Sequence, residues 1–539
     1  MRWNQSGSLP LARKPRLLLI LVLLIVLSYW QLSNLQRGII DVYSSVNPQN
    51  AVHPLEAAVA AAEQNFVRLL SRQSQSIEAA TAEYTRRYSL EPPPNFDKWF
   101  ELARQNEFVL VDEFDTIMES LAPFRKVPGE ELRRLVDRAM SQLPEQLLRY
   151  EIRKGKFSAE AGSGPSWFAN SMRSFLPWDW LALLPDMTAV MNVYDEPKVV
   201  IPKVTSDATP AGTLLFSDLA QKDVWPSVKL GCEPIAPARS VVCEALKQPA
   251  IEMITDLAKS KDVCSSCDLH KQEGFLLAPA NLQLTHLPVP IMSQAKPSVF
   301  SDILFPSPHY WGGNEVSDAV KWEDKASTLY WTGSATGGYA KDDNWMHMQR
   351  QRLALMLSNG SSSPIQLLKY ATSAGWRTYN STADGIADIV QVRITGTTGQ
   401  CESAICEEEK NVFGIGVEEL RDPESEIHLH KFLLDLDGNS FSGRYHRLLR
   451  TNSVVLKQTV FQEWHDDRLL PWLHFIPIST SFEELPEVVR FLAKTDVGNA
   501  LARKIALNSR DWAEKALRHV DMQLVLLRTL LELGRILGD

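Results

Sequence analysis

The stretch from His430 to Pro477 constrains the fold of this chain more than any other part of the sequence. It alternates short apolar runs with glycine-containing turns and one helix-like segment. In chain order these are an apolar run, a glycine turn, a helix-like segment and two further apolar runs, at residues 432–436, 437–444, 445–450, 453–456 and 472–476. Strand, glycine turn, helix and strand in this order build an open α/β sheet that binds ligands at the carboxyl ends of its strands. The stretch therefore predicts an α/β protein with a ligand site at one sheet edge.

A second strand-like run, Met187 to Val193, ends at Tyr194-Asp195-Glu196-Pro197. A carboxylate just past a strand is where α/β enzymes place catalytic groups. An Asp-Glu-Pro surface turn is the alternative.

Residues 325–339 repeat the pattern of a strand that runs into a glycine-rich turn. Backbone N–H groups in such a turn can hold an anion. The turn has neither the P-loop pattern nor G-x-G-x-x-G, and the missing G-x-G-x-x-G argues against a sugar-nucleotide epimerase or dehydrogenase. A basic helix follows, and its arginines, Arg350 and Arg352, could bind phosphates or face solvent.

An apolar segment near the N-terminus predicts a single transmembrane signal anchor at residues 17–33. Positive residues precede it, which places residues 1–16 in the cytoplasm and the remainder in the lumen of the Golgi or the ER. A cleaved signal peptide is the alternative, but no small-residue cleavage site follows the apolar run. The chain is thus expected to be a single-pass type II membrane protein.

Six cysteines and two sequons follow this segment. An even number of cysteines in a luminal chain predicts structural disulfides, and Cys401 and Cys406 could close a small loop. Cys264 and Cys267 have C-x-x-C spacing but no second such pair to complete a zinc site. The sequons at Asn359 and Asn380 fit a luminal protein. The net charge of −9 argues against nucleic acid as a partner.

At 539 residues the chain is too long for one core, so two lobes with appendages are expected. Apolar spacing predicts helices between residues 53 and 148, and again in two segments, 482–494 and 497–537. A further strand is predicted within residues 383–395. The apolar run at residues 524–533 is interrupted by Arg528 and Glu532, which predicts a packing helix instead of a second membrane span.

Three segments together resemble the CAP10-type glycosyltransferases, a family that includes the Rumi-like protein O-glucosyltransferases. They are Leu184 to Pro197, Leu329 to Gly338 and Lys431 to Pro477, in the same order as in that family. The resemblance implies a GT-B architecture of two Rossmann-like lobes with the nucleotide-sugar in the cleft. It also implies an inverting transfer from a UDP-sugar without a metal site.

The apolar patterns give a stem and helical arm at 34–95 and C-terminal helices at 501–539. Between them the resemblance implies an acceptor-side lobe with the base at 96–310 and a nucleotide-sugar lobe at 311–500. The resemblance makes Asp195 the candidate base and Arg444 the candidate diphosphate ligand. Further donor contacts are expected from the two glycine turns and from one later carboxylate, namely Gly333, Ser334, Thr336, Asp437, Gly438 and Glu463.

The chain departs from the family at Thr332, where many relatives have arginine. Arg350 or Arg352 could then stand in beside Arg444. The expected activity is transfer from UDP-xylose or UDP-glucose to a hydroxyl of a glycan or protein, with the UDP-sugar as a substrate and no permanently bound cofactor. The alternative is a catalytically silent luminal relative that binds carbohydrate or acts as a scaffold.

Overall fold

The computed structural model describes residues 52–160, 166–203, 215–240, 251–311, 318–358, 361–372, 375–396, 399–415 and 422–538. The predicted anchor at 17–33 and the sequon at Asn359 lie outside them, whereas Asn380 is exposed. Among the helices that the structure describes, none combines the length and the apolar character that a membrane span requires.

The chain divides into two compact units. The smaller comprises Met1–His53 and Lys369–Arg377, and its described part includes the Trp376 indole packed edge-on against the His53 ring at 4.7 Å. The larger comprises Pro54–Leu368 and Thr378–Asp539 and contains the candidate site described below.

The helices of the described residues are distributed along the whole chain. They are α1 Pro54–Ser71, α2 Ile77–Tyr88, α3 Phe96–Gln105, α4 Asp115–Leu121, α5 Gly129–Gln142, α6 Ser166–Phe175, α7 Trp225–Val228, α8 Leu257–Ser260, α9 Gly274–Leu277, α10 Gln349–Leu357, α11 Ser403–Phe413, α12 Tyr445–Leu449, α13 Leu485–Lys494, α14 Asp496–Ala516 and α15 His519–Leu537.

The strands begin after α5. They are β1 Leu147–Arg153, β2 Lys156–Glu160, β3 Met187–Asn192, β4 Ser217–Asp218, β5 Gln283–Leu284, β6 Ile291–Ser293, β7 Ala295–Pro297, β8 Ile303–Leu304, β9 Ala326–Gly333, β10 Pro364–Ala371, β11 Gly375–Thr382, β12 Val390–Ile394, β13 His430–Leu436, β14 Val454–Gln458, β15 Phe461–Glu463 and β16 Ile476–Ile478.

Two five-stranded sheets form the framework of the larger unit. The first has the order β2-β1-β3-β6-β8, with β3, β6 and β8 parallel and β1 antiparallel to its neighbours. The second has the order β12-β9-β13-β14-β16 and is parallel throughout. Helices α5 and α15 pack on the first sheet, and α10, α13 and α14 pack on the second. The predicted α/β class, with parallel strands joined through helices, is confirmed.

The second sheet reproduces most of the predicted order within residues 430–477. All seven residues of β13 are buried, as its largely apolar run at 432–436 predicts for a central parallel strand. The third predicted strand, 472–476, is wrong, because β16 begins only at Ile476. Trp472 has a φ of 67° and its N–H donates to the carbonyl of Phe475 at 2.7 Å, so a tight turn replaces the strand.

Three other predicted segments need correction. Residues 383–389 form a 3₁₀ helix, so the strand predicted there is limited to β12. The helical pattern proposed up to Leu148 ends at Gln142, and its last residues begin β1. The long C-terminal helix is two helices, because Leu517 and Arg518 break the run.

The C-terminal helix α15 lies in the main core, and the prediction of a packing helix is confirmed. The indole N–H of Trp99 donates to the carbonyl of Leu524 at 2.9 Å. Arg528 and Glu532 form a buried ion pair at 3.1 Å. The Arg528 guanidinium also lies over the Phe96 ring at 4.3 Å, so aromatic faces and a carboxylate together stabilise the buried cation.

The cysteines of the described residues form disulfides. Cys232 pairs with Cys264, Cys401 pairs with Cys406 as predicted, and Cys267 is also disulfide-bonded. The C-x-x-C spacing therefore does not mark a local redox pair, since Cys264 bonds to Cys232. The prediction of structural disulfides is confirmed.

The glycine-rich turn after β9 packs directly against the start of α9. A Cβ on Gly274 would lie 1.8 Å from the carbonyl oxygen of Gly337. Gly338 has a φ of +138°, and a Cβ there would lie 2.7 Å from the backbone of Gly274. Both the close approach and the backbone conformation therefore require glycine.

We expect Gly338→Ala to destabilise the fold by about 1–3 kcal/mol, because the new Cβ collides with backbone that has no room to relax. The free energy of unfolding from urea titration measures the change. Gly399→Ala is the matched control, since a Cβ there meets no atom within 4 Å. An equal loss of stability in both variants would contradict this account.

Candidate active site

Two turns lie at the carboxyl ends of the neighbouring parallel strands β9 and β13. The first contains residues 333–338 and the second residues 437–444. Gln349, fully buried at the start of α10, connects them: its side chain accepts from the Gly274 N–H at 2.9 Å and donates to the Asp437 carbonyl at 3.3 Å. Loops that follow adjacent parallel strands meet at one sheet edge, where α/β proteins bind ligands.

Arg350 spans both turns. Its Nε donates to the Asp437 carbonyl at 2.9 Å, and its Nη1 donates to Thr336 Oγ1 at 2.9 Å and to the Ser334 carbonyl at 3.2 Å. A Cβ on Gly438 would lie 3.1 Å from Arg350 Nη2, so this glycine admits the guanidinium. Of the two candidate stand-in arginines, Arg350 therefore lies among the predicted donor residues.

Arg444 precedes α12, and its Nη1 donates to the carbonyl of Thr332 at 3.0 Å. Burial, reinforced by the nearby charge of Arg444, lowers the pKa of Arg350 to about 10. Two neighbouring guanidinium groups repel each other, and an anion bound by both would relieve the repulsion. Planar, multiply hydrogen-bonding guanidiniums suit phosphate oxygens in particular.

The first turn also offers uncharged donors. Ser334 Oγ and Thr336 Oγ1 lie 2.9 Å apart. Within the described part of the chain, the backbone N–H groups of these two residues donate to no other residue. Free amides and hydroxyls beside two arginines form a suitable cradle for an anionic group.

A buried charge cluster supports the second turn. Lys457 Nζ lies 2.7 Å from Asp435 Oδ2 and 3.5 Å from Asp437 Oδ1. Ser442 Oγ donates to Asp435 Oδ1 at 2.5 Å, which ties the turn to the cluster. Burial opposes the charge on Lys457, but the carboxylates around it raise its pKa above the ordinary value. The two carboxylates therefore favour the charged form of Lys457, and the cluster fixes the turn that carries Arg444.

Glu463 lies in the interior instead of at the surface of the turns. It is 1% exposed and accepts a hydrogen bond from the Tyr310 hydroxyl at 2.7 Å. Burial raises the pKa of Glu463 to about 8. Tyr310 also donates to the Ser442 carbonyl at 3.2 Å and stacks on His446 at 3.7 Å. Glu463 thus stabilises the second turn from the interior, through Tyr310.

Asp195 and Glu196 follow β3 but have different environments. Glu196 is buried and accepts from the N–H groups of Ala280 and Asn281 at 2.7 and 2.9 Å, which is a structural arrangement. Asp195 is half-buried, and its carboxylate accepts no hydrogen bond from the residues that the structure describes. Burial raises the pKa of Asp195 above its ordinary value, partly offset by His309. A carboxylate with unused lone pairs and raised proton affinity can act as a general base.

His309 lies between Asp195 and the second turn. Its charge interacts with that of Asp195, and a Cβ on Gly443 would lie 3.5 Å from the His309 Cβ. Its ring contacts Phe441 at 6.0 Å and Trp167 at 4.8 Å between centroids. The structure therefore brings the strand-end carboxylate of the first sheet and the arginine turn of the second into one region.

Comparison with known sequences agrees with this geometry. Residues 277–532 match the sequence model of the family described as glycosyl transferase family 90. The resemblance to CAP10-type, Rumi-like proteins is confirmed. Arg350, Arg444 and both glycine turns lie inside the matched residues, and Asp195 lies upstream of them.

The curated relatives are distant. The chain is 22% identical over 256 residues to O-glucosyltransferase rumi of Drosophila pseudoobscura pseudoobscura, covering 43% of this chain and 52% of the relative. It is 21% identical over 247 residues to protein O-glucosyltransferase 1 of Rattus norvegicus, covering 40% and 50%. The human protein O-glucosyltransferase 1 is also 21% identical, over 243 residues, covering the same shares. The chain thus spans about half the length of the relatives it matches.

Two further positions in the matched residues, Arg352 and Thr332, concern the predicted binding of the donor diphosphate. Arg352 donates to the carbonyls of Gln272 and Thr480 at 3.0 and 2.6 Å, so its guanidinium holds backbone segments instead of joining the turns. Thr332 pairs in register with Arg393 on β12, and Arg393 forms an ion pair with Asp422 at 2.6 Å. A guanidinium is thus present one strand away from the position where relatives have arginine.

Sequence reasoning missed His309, Tyr310, Gln349 and Lys457. Only the last has a recognisable signal: Asp435 and Lys457 are opposite charges in two apolar strands, and the structure pairs them in register. No group of histidine, cysteine, aspartate or glutamate in the described ranges is arranged to hold a metal ion.

We expect Lys457→Met to destabilise the fold by about 3–5 kcal/mol, because Asp435 and Asp437 would remain buried without a counter-charge. Urea unfolding measures the loss. The control is Lys410→Met, which removes an exposed ion pair with Glu407 and should cost less than about 1 kcal/mol. Comparable values for the two variants would show that the cluster is not structurally important.

Proposed function

We propose that this protein is a glycosyltransferase that transfers a sugar from a UDP-sugar to a hydroxyl group with inversion. The observation that carries the proposal is the pair of guanidiniums, Arg350 and Arg444, held between two glycine turns at the edge of a parallel sheet. A diphosphate leaving group needs positive charge and N–H donors placed before the reaction. The match to family 90 supports the same assignment.

The donor we propose is UDP-glucose or UDP-xylose. The relatives named above are O-glucosyltransferases, which favours UDP-glucose. Arg444 and Arg350 would hold the diphosphate, with Ser334, Thr336 and Gly333 around it. Gly438 would approach the ribose or the sugar, whereas the buried carboxylates of Asp437 and Glu463 support only indirect roles there.

The proposed chemistry is an in-line displacement. The acceptor oxygen forms a bond to the anomeric carbon while the bond from that carbon to the diphosphate oxygen breaks. The electron pair leaves with UDP, and the acceptor proton moves to the Asp195 carboxylate. Attack opposite to the leaving group inverts the anomeric configuration.

The architecture we propose is GT-B. The first sheet lies within residues 96–310 and would supply the base, and the second lies within 311–500 and would supply the donor site. The segment Pro308–Tyr310 supports a cleft between the two sheets, because His309 interacts with Asp195 and Tyr310 contacts Ser442.

We also propose a type II membrane protein of the Golgi or the ER with a glycan or glycoprotein acceptor. The disulfides and the exposed sequon at Asn380 support a luminal location.

A catalytically silent carbohydrate-binding relative is the second candidate, favoured by Thr332 in place of the family arginine. UDP release separates the two. The full-length protein is incubated with UDP-glucose or UDP-xylose, with and without acceptor, and free UDP is measured. Tight UDP binding without release from either donor would favour the silent relative.

We expect Arg444→Gln and Arg350→Gln each to weaken UDP binding about 10- to 100-fold, since each removes charge-assisted hydrogen bonds worth about 1.5–3 kcal/mol. Isothermal titration calorimetry with UDP measures the affinity. Arg447→Gln is the matched control, because Arg447 lies on α12, the short helix that Arg444 precedes, and pairs only loosely with Glu424 at 3.5 Å. Unchanged affinity in both test variants would exclude the diphosphate role.

We expect Asp195→Asn to lower the rate of transfer about 10²- to 10⁴-fold while UDP affinity stays unchanged. Asp179→Asn, at an exposed position, should retain full activity. Because a base must be deprotonated and burial raises the pKa of Asp195, the wild-type rate should fall as pH drops through that raised pKa, while UDP binding persists. Full turnover by Asp195→Asn would disprove the base assignment.

A further inference from the structure

An exposed tryptophan borders the candidate reaction centre. Trp167, on α6 and outside the family 90 match, is 42% exposed. Its ring lies 4.8 Å from the His309 ring at an angle of 59°. The next residue, Phe168, is fully buried, and its ring contacts the Trp167 indole edge-on at 5.7 Å between centroids. This contact holds the indole in place. Leaving so large an apolar surface in solvent has a cost that a bound ligand would remove.

The neighbouring imidazole is also available to a ligand. The His309 side chain is exposed, and its ring nitrogens form no hydrogen bond with any residue in the described ranges. Gly443, beside the ring, is exposed and has no side chain, which leaves the edge of the imidazole open. The unpaired carboxylate of Asp195 is near enough for its charge to act on the His309 ring. The region therefore combines a flat apolar face, a neutral hydrogen-bonding group and the proposed base.

This combination matches the surface of a pyranose ring. One face of such a ring presents C–H groups that pack on an aromatic plane, and its rim presents hydroxyls that hydrogen-bond to imidazole or carboxylate. A serine side chain on a protein is too small to need an indole platform. The observations thus favour a saccharide acceptor over a protein acceptor.

We propose that Trp167 and His309 form the acceptor subsite, where a sugar ring stacks on the indole and one of its hydroxyls hydrogen-bonds to the imidazole. A second hydroxyl of that ring then reaches Asp195. The inference rests on the proposed function and assigns its acceptor as a glycan. Trp167 and His309 act as positioning residues, since neither takes the transferred proton.

The test uses the full-length protein with UDP and simple methyl pyranosides of glucose, mannose, galactose and xylose. Saturation-transfer NMR detects binding of the glycosides without requiring turnover. Initial rates of UDP release, with the better donor, give kcat and KM for each glycoside that binds. A serine-containing, disulfide-bonded protein module is tested in parallel as the competing acceptor.

We expect Trp167→Ala to raise KM for the glycoside about 10-fold, which corresponds to the loss of about 1.4 kcal/mol. The kcat and the UDP affinity should change less than about twofold, because only uniform binding is removed. Trp167→Phe should restore most of the affinity. His309→Ala should raise KM, and His309→Asn, which keeps a hydrogen-bonding group, should recover part of it. Trp178→Ala, which alters a tryptophan 83% exposed beyond α6, is the control and should have no effect.

The outcomes separate this inference from the proposed function. Glycoside binding that depends on Trp167 but gives no UDP release would support the subsite and contradict the transferase. Transfer to the protein module with no binding of any glycoside would overturn the subsite and retain the transferase. Unchanged KM in Trp167→Ala, or an equal effect of Trp178→Ala, would also overturn it. Altered UDP affinity or thermal unfolding in Trp167→Phe would indicate a merely structural role.

Discussion

The ion cluster of Lys457 with Asp435 and Asp437 is the constraint on which the candidate site depends. Three charges are buried at the carboxyl ends of two adjacent parallel strands, where they cannot be hydrated and must satisfy one another. Through Ser442 the cluster holds the turn that carries Arg444. Because Lys457 neutralises Asp435 and Asp437, these carboxylates do not need Arg350 or Arg444 as counter-charges. The two arginines therefore remain available to an anionic ligand.

The segment Pro308–Tyr310 links this turn to the first sheet. Tyr310 inserts among His446, Glu463 and the Ser442 carbonyl, so it belongs to the support of the second turn. The residue before it, His309, faces Asp195. These three consecutive residues thus fix the position of the proposed base, Asp195, relative to the turn that carries Arg444. A displacement of this segment would alter both sides of the reaction centre together.

The sequence predicted features that follow from local chemistry. The largely apolar runs of β3, β9, β13 and β14, the glycine turns after β9 and β13, and the Cys401–Cys406 loop were recognisable because each depends on neighbouring residues. The strand expected at 472–476 failed because a left-handed residue, Trp472, has no reliable sequence signal. Glu463 was expected to contact the donor. It is buried instead against Tyr310, which is 153 residues away in the sequence. The neighbours of His309 are likewise set only by tertiary structure.

The position of α15 has a consequence for how the protein is made. A Cβ on Gly534 would lie 2.5 Å from the Pro185 ring, so the last helix rests directly on the start of β3, and Leu524 receives the hydrogen bond from Trp99. The core of the first sheet thus includes residues synthesised more than 300 positions later. During translation the N-terminal half exposes this unfinished surface until α15 has been synthesised. Folding of the first lobe is therefore completed last, although its residues emerge first.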